Sequence, residues 1–331
     1  MSRNIRILGT GKYLPSKIVT SEELDRKLGL KEGWAAKKSG VKIRHVVDGE
    51  VNSDMAVKAI EQALKNANMT KEDLHCIIST SASFDQPLPC QASLIKEKMV
   101  FKNHPIPAFD IDSTCLGFVV GLDTISYLVE AERYKNVVIV SSEISSLAIN
   151  PNQHESYTLF GDGACAVIIS KSSKEETSSI KTSLIETYPE GVHMTEVRGG
   201  GSILHSRHYS EKNKTEYLFD MDGRAIFRLS SRLINGFMER LFKDSGLTIQ
   251  DIDMVIPHQA SAMAMKLMRK KLDVPEEKFM SIIENHGNVI SASIPMALHE
   301  AIVQNRIKRG DKVLLLGTSA GLSLGGLVFE Y

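Results

Sequence analysis

The chain has four cysteines, at positions 76, 90, 115 and 165, with no Cys-x-x-Cys pair and no histidines or cysteines clustered at metal-ligand spacing. That scarcity indicates neither a disulfide framework nor a zinc site, and it suits a reducing compartment. Net charge is missing too, since 40 basic residues balance 40 acidic ones. Nothing in that balance points to a nucleic-acid or membrane partner, so the expected ligand is small or carried by a protein. No run approaches the roughly twenty consecutive apolar residues that span a bilayer. Met1 to Gly9 enters a strand-like stretch without the basic region and apolar core of an export signal, so a cytoplasmic protein is expected.

Short Val/Ile-rich runs alternate with helical periodicity, which gives an α/β class with helices on the faces of a mixed or parallel sheet. Strand-like runs cover residues 4–8, 76–80, 108–111, 137–141, 164–169, 254–256, 313–316 and 324–329. Helical patterns cover 53–66, 91–99, 116–133, 225–242, 261–271 and 295–305, and residues 171–179 are the one polar stretch resembling a linker.

The two halves of the chain look alike. Residues 63–83 align without gaps on 241–261, with identities Lys65/Lys243, Thr70/Thr248, Asp73/Asp251, Ile78/Ile256, Ala82/Ala260 and Ser83/Ser261. The offset is 178 residues, and an offset of 177 superposes Lys135 and the strand after it on Lys312 and its strand. A period this long signals a duplicated domain, with halves expected over 1–174 and 175–331. At the first offset Cys115 falls opposite Ser293, just after Asn288, and Thr80 falls opposite His258. A pseudo-twofold relation would bring the Cys115 and Asn288 turns to one crevice.

Cys115 precedes Leu116, Val119, Val120, Leu122, Ile125, Leu128 and Val129, an apolar set wide enough for a helix buried on most sides. A thiol at the start of such a helix is expected to have its pKa lowered by the helix dipole, which favours a nucleophilic thiolate. A core cysteine satisfies the same spacing, and that is the reading for Cys76, Cys90 and Cys165. His258 follows Pro257 and opens a helix, where an imidazole can point into a crevice; a backbone-satisfied histidine fits as well, and His286 is a rival. Gly287-Asn288 precedes small residues and the Pro295 helix, a turn able to aim an amide inward, although an ordinary Asx turn also explains Asn288. Gly317 to Gly321 matches a Gly-x-Ser-x-Gly elbow but has no helix, Asp or His after it. Gly9-Thr10-Gly11 lacks the third glycine of a dinucleotide site and is read as a turn.

With Cys115, His258 and Asn288 in these contexts, the chain resembles the thiolase superfamily, and within it the β-ketoacyl-acyl carrier protein synthase III family. Further matching segments are Gly9 to Pro15, Trp34 to Arg44, Asp112 to Phe118, Phe160 to Ala164, Met221 to Arg224, Pro257 to Ala260 and the glycine-rich finish from Gly317. The resemblance implies a five-layered αβαβα fold, a homodimer, and catalysis by Cys115, His258 and Asn288 with no metal or cofactor. It implies that Cys115 takes an acyl group from acyl-CoA, with backbone N–H groups of Cys115 and Ala320 as the oxyanion hole. His258 and Asn288 would then serve decarboxylative condensation with malonyl-acyl carrier protein, in fatty acid or polyketide initiation. Trp34, Lys38, Gly223, Phe227, Ala260 and Ser261 would line the substrate tunnel, and Lys266, Arg269, Lys270 and Lys271 would dock the acidic carrier protein.

Departures from the family pattern are Leu116 after the cysteine, Ser261 where asparagine is common, Cys165 for a glycine, and Thr318-Ser319-Ala320 within the usual glycine triplet. They leave open a specialised acyltransferase that moves its acyl group to oxygen, nitrogen or another carbon without decarboxylation. A Cys-His-Asn hydrolase would use the same residue types. The duplication argues against it, and the intact triad argues against a silent partner subunit.

Overall fold

The computed structural model, which describes residues 2–101 and 104–331, contains two large sheets. The first uses β1 (Ile5–Tyr13), β2 (Cys76–Ser79), β3 (Ala108–Asp110), β4 (Asn136–Glu143) and β5 (Gly163–Lys171), in spatial order β1-β5-β4-β2-β3. The second uses β6 (Ser179–Thr187), β7 (Met254–Pro257), β8 (Lys312–Ser319) and β9 (Ser323–Glu330), in order β7-β8-β9-β6. Read as β1-β5-β4-β2, the first sheet pairs antiparallel, antiparallel, parallel. Read as β6-β9-β8-β7, the second does the same. The repeat in sequence thus reappears as a repeat in topology.

Side-chain alternation builds the layers. In β4, Val137 and Ile139 face one core while Val138 and Val140 face another; in β8, Val313 and Leu315 share the first of these cores while Leu314 and Leu316 enter a third. Strands covered on both faces read as unbroken apolar runs, which is why they stand out in the sequence. Helices α1 (Asn52–Asn66) and α2 (Gln91–Lys98) cover the outer face of the first sheet, and α3 (Gly117–Glu130) lies between the sheets. Helices α4 (Gly223–Phe242) and α5 (Ala262–Lys271) cover the outer face of the second, and α6 (Ser293–Val303) joins α3 in the middle. The result is the expected αβαβα order. Both central helices are apolar nearly all round, as elements buried on every side must be.

Two segments differ from the sequence reading. Strand β6 begins inside the stretch read as a linker; it forms the sheet edge, most of its residues are half-buried, and its mixed SIKTSLIET sequence hides its period. Gly9-Thr10-Gly11 is not a turn but part of β1, paired with β5. The α1 backbone passes so close there that side chains at both glycines would meet the carbonyl oxygens of Ala63 and Ala59.

Candidate active site

After β3 the chain makes a 3-10 turn, Thr114–Leu116, and only then starts α3 at Gly117. Cys115 therefore sits in the turn ahead of the helix. Thr114 holds a left-handed φ of 46°, costly for a β-branched residue, and its N–H donates to Asp112 Oδ1 at 2.7 Å. Cys115 as a residue keeps partial exposure, yet the protein around it strips water from the thiol. Burial, followed by the nearby Glu143 carboxylate, pushes its pKa up to about 12. Asp112 adds to the rise, and backbone N–H groups of Cys115 and Ala320 oppose it without prevailing. The depressed thiol expected from the helix dipole is thus overturned: lost hydration and a buried carboxylate outweigh the two N–H donors.

His258 follows β7, and its N–H donates to Leu316 O of β8 at 2.8 Å. It does not open the helix: α5 starts at Ala262, capped by Ser261 Oγ, which accepts from Ala264 N at 3.2 Å. The imidazole is buried, Nδ1 has no hydrogen-bond partner among the described residues, and burial lowers its pKa to about 4, so the ring is neutral near pH 7. Gln259 braces this strand end. Its Nε2 donates to Pro257 O (2.8 Å) and Met280 O (3.3 Å), and its Oε1 accepts from Ile282 N (2.8 Å).

Asn288 is fixed through backbone bonds to Leu159 and Gly161, each 3.0 Å. Its Oδ1 accepts from Ile290 N at 2.9 Å and from Ser293 Oγ at 3.5 Å. Because the acceptor end is committed, the amide orientation is settled and the Nδ2 hydrogens remain to be offered elsewhere. The following 3-10 turn, Ile290–Ala292, packs against the Thr114–Leu116 turn. His258 adjoins the same place through Gly317 of β8: a Cβ built there would sit 2.9 Å from His258 Cβ and 3.2 Å from Leu116 Cδ2. The rival His286 is engaged elsewhere. Its Nε2 lies 3.1 Å from Lys12 Nζ, which also pairs with Glu300, and its Nδ1 lies 3.0 Å from Ile282 O. Since an ammonium can only donate, Nε2 accepts and Nδ1 carries the hydrogen.

Glu143, at the end of β4, is a buried carboxyl beside the site that sequence reasoning missed. It is wholly buried, and burial pushes its pKa up to about 7 against the pull of its hydrogen-bond donors. A carboxylate closing the apolar run from Asn136 was the available signal, since a strand covered on both faces buries whatever ends it.

Trp34 and Lys38 lie on the short helix Trp34–Ser39. Lys38 Nζ is 5.8 Å from the Trp34 ring and 3.3 Å from Glu155, while His154 meets the ring edge-on at 6.2 Å. That helix packs on the start of α5, beside Ala260 and Ser261. Gly223 and Phe227 occupy the first two turns of α4, exposed and half-buried respectively, and Lys271 ties α5 to α4 by donating to Ser231 O. Of the four basic residues on α5, Arg269 is engaged by Glu276 (3.1 Å) and Val274 O (3.3 Å), and Lys271 by Ser231. Lys266 and Lys270 are exposed and have no ion pair among the described residues. Arg224, Arg228 and Arg232 add an exposed stripe on α4 at four-residue spacing, which sequence reading passed over. Gly317 to Gly321 leads from β8 into β9 rather than into a helix.

A thiol flanked by two backbone N–H donors, with a neutral imidazole and an amide NH₂ in adjoining segments, can capture an acyl group and stabilise developing oxyanions.

Comparison with known proteins agrees with this geometry. The model of 3-oxoacyl-[acyl-carrier-protein] synthase III matches residues 109–189, and that of its C-terminal part matches 242–331. The chain is 32% identical over its whole length to the full β-ketoacyl-[acyl-carrier-protein] synthase III of Vesicomyosocius okutanii. It is 31% identical to the enzyme of that name from Clostridium acetobutylicum, over 99% of both chains. The crystal structure of 3-oxoacyl-[acyl-carrier-protein] synthase III from Aquifex aeolicus superposes with a TM-score of 0.88 at 29% identity, covering 99% of this chain and 100% of that one.

Proposed function

The chain belongs to the 3-oxoacyl-[acyl-carrier-protein] synthase III family and is a condensing acyltransferase of fatty acid biosynthesis; from that premise we propose how its residues act. The Cys115 thiol attacks the carbonyl of an acyl-CoA, and its proton leaves with the CoA thiol. A thiol at about pKa 12 gives up that proton only as the carbonyl oxygen acquires its charge. The N–H groups of Cys115 and Ala320 hold that oxygen, each such donor contributing about 2.7–4 kcal/mol in the transition state.

Malonyl-acyl carrier protein then replaces CoA. His258 Nε2–H and Asn288 Nδ2 donate to its thioester oxygen, the bond to the carboxylate breaks, and carbon dioxide leaves. The remaining electron pair forms an enolate, which attacks the acyl-Cys115 carbonyl. Cys115 departs as thiolate and recovers a proton from water, leaving a 3-oxoacyl thioester. This scheme calls on no metal or organic cofactor.

The observation that carries this reading is the packing of the Cys115 turn against the Ile290–Ala292 turn, with the Asn288 amide locked acceptor-first. Trp34, Lys38, Gly223, Phe227, Ala260 and Ser261 line the pantetheine path, and Lys266 and Lys270 dock the acidic carrier beside the Arg224, Arg228 and Arg232 stripe. The working unit is a cytoplasmic homodimer of chains made of halves 1–174 and 175–331. Strand β3 ends its sheet among the described residues, and Phe84 and Leu88 are 57% and 82% exposed, which supports a partner copy.

Intact-mass measurement with a panel of acyl-CoAs, followed by malonyl-acyl carrier protein, tests the reading. An acyl mass gain, absent in Cys115→Ala, and a released 3-oxoacyl product are expected. A gain that persists in Cys115→Ala refutes the nucleophile. A stable acyl-enzyme that never yields a 3-oxo product refutes condensation and points to transfer onto oxygen or nitrogen.

A further inference from the structure

The condensation half-reaction needs more than the amide of Asn288; it needs that amide held still. We infer that Glu143 is a positioning residue for that step: its buried carboxyl clamps the turn following Asn288 to the turn following β2. Four donors converge on it from two chain segments. Oε1 accepts from Ala82 N at 2.8 Å and from Ser291 Oγ, and Oε2 accepts from Ser83 N at 3.0 Å and Ser83 Oγ at 2.5 Å. Ser83 Oγ in turn accepts from Ile144 N at 3.1 Å, which ties the clamp back to its own strand.

The path from Glu143 to the reacting atoms is short. Ser291 follows Ile290, whose N–H fixes Asn288 Oδ1 at 2.9 Å. Ile290 holds a φ of 45°, a conformation a β-branched side chain leaves when released. Without the Glu143–Ser291 bond, the Ile290 N–H is free to swing, and the Asn288 NH₂ loses its aim. Glu143 touches neither substrate nor Cys115 in this account; it acts through Ser291. Its charge has a second, separable effect, because it opposes ionisation of Cys115.

This inference rests on the condensation reading, and two variants separate the two. Acylation of Cys115 by acyl-CoA is followed by intact mass, and carbon dioxide release from malonyl-acyl carrier protein is followed on the preloaded enzyme. In Ser291→Ala, acylation is expected within about twofold of wild type while decarboxylation falls roughly 10-fold to 100-fold, the scale of a misplacement approaching 1 Å. In Glu143→Gln, decarboxylation falls similarly, but acylation is faster, since the charge opposing the thiolate is gone. A merely structural carboxyl would lower both half-reactions in parallel. Unchanged decarboxylation in folded Ser291→Ala, or a parallel loss in both steps, overturns the clamp. Wild-type enzyme that forms no acyl-Cys115 or no 3-oxo product overturns the reading beneath it.

Discussion

Gly317→Ala tests whether His258 is held where condensation needs it. The added Cβ would lie 2.9 Å from His258 Cβ, 3.2 Å from Leu116 Cδ2 and 3.4 Å from Ile294 Cδ1. Carbon atoms rest at about 3.5–4.0 Å. His258 must therefore retreat by roughly half an ångström or more, although its N–H is fixed to Leu316 O at 2.8 Å. Crowding a closed core costs about 1–3 kcal/mol. With an unfolding entropy of about 2.1 cal/mol/K per residue, that lowers the Tm of this chain by about 1.5–4 °C. A displacement of that size is expected to slow malonyl decarboxylation about tenfold, given that 1 Å costs about a hundredfold.

Gly325→Ala is the matched perturbation, because Gly325 pairs with Gly317 across the β8–β9 ladder and the three atoms nearest its added Cβ all belong to Leu116, at 2.9, 3.0 and 3.5 Å. It should lose comparable stability and keep more of the decarboxylation. Thermal unfolding and carbon dioxide release on both variants decide the matter. Wild-type decarboxylation in Gly317→Ala, or an equal loss in Gly325→Ala, refutes the reasoning.

Asn288→Asp keeps an acceptor for the Ile290 N–H but replaces the donor with a carboxylate oxygen; decarboxylation should fall about 10²–10³-fold while acyl-Cys115 still forms by mass. His258 and His286 both titrate near 4 in the fold, below the ordinary 6.5, so the unfolded chain takes up protons first as pH drops. Their contribution to stability is complete above about pH 6.5 and declines toward pH 4; melting curves should show that fall, with a shallower slope in His258→Gln. Lys270→Glu should raise KM for malonyl-acyl carrier protein more than it lowers kcat, with a salt-dependent effect, whereas Lys271→Glu, whose lysine is already tied to Ser231, should do less.

Much of this was legible because a doubly covered strand leaves no polar face to blur its pattern. The runs at 137–141 and 313–316 are read correctly for that reason, and the repeat between 63–83 and 241–261 foretells that the Cys115 and Asn288 turns meet. Strand β6 is hidden because an edge strand with half-buried residues mixes polar and apolar positions. The state of Cys115 was misjudged for a different reason. Local sequence shows the helix start and its dipole, but Glu143 lies 28 residues away in the chain and reaches the site only through the sheet. Electrostatics of a buried group depends on neighbours that periodicity cannot name.

The two turns share more than their contact. Thr114 and Ile290 are both β-branched and both left-handed, with φ of 46° and 45°. In each case the N–H donates to the Asx side chain two residues earlier, Asp112 Oδ1 at 2.7 Å and Asn288 Oδ1 at 2.9 Å. One local device is thus used twice, once in the turn that carries Cys115 and once in the turn that follows Asn288. The exposed Asp112 needs only its acceptor and raises the Cys115 thiol, whereas Asn288 needs the donor that a carboxylate would lack. Each turn costs about 1–3 kcal/mol in backbone strain, and neither Thr nor Ile would hold it alone. Asp112 ties the first, Glu143 fastens the second, and the two turns pack on each other. The geometry of the site is therefore a property of the contact between the halves, and perturbations at that contact should reach the chemistry even when they touch none of Cys115, His258 or Asn288.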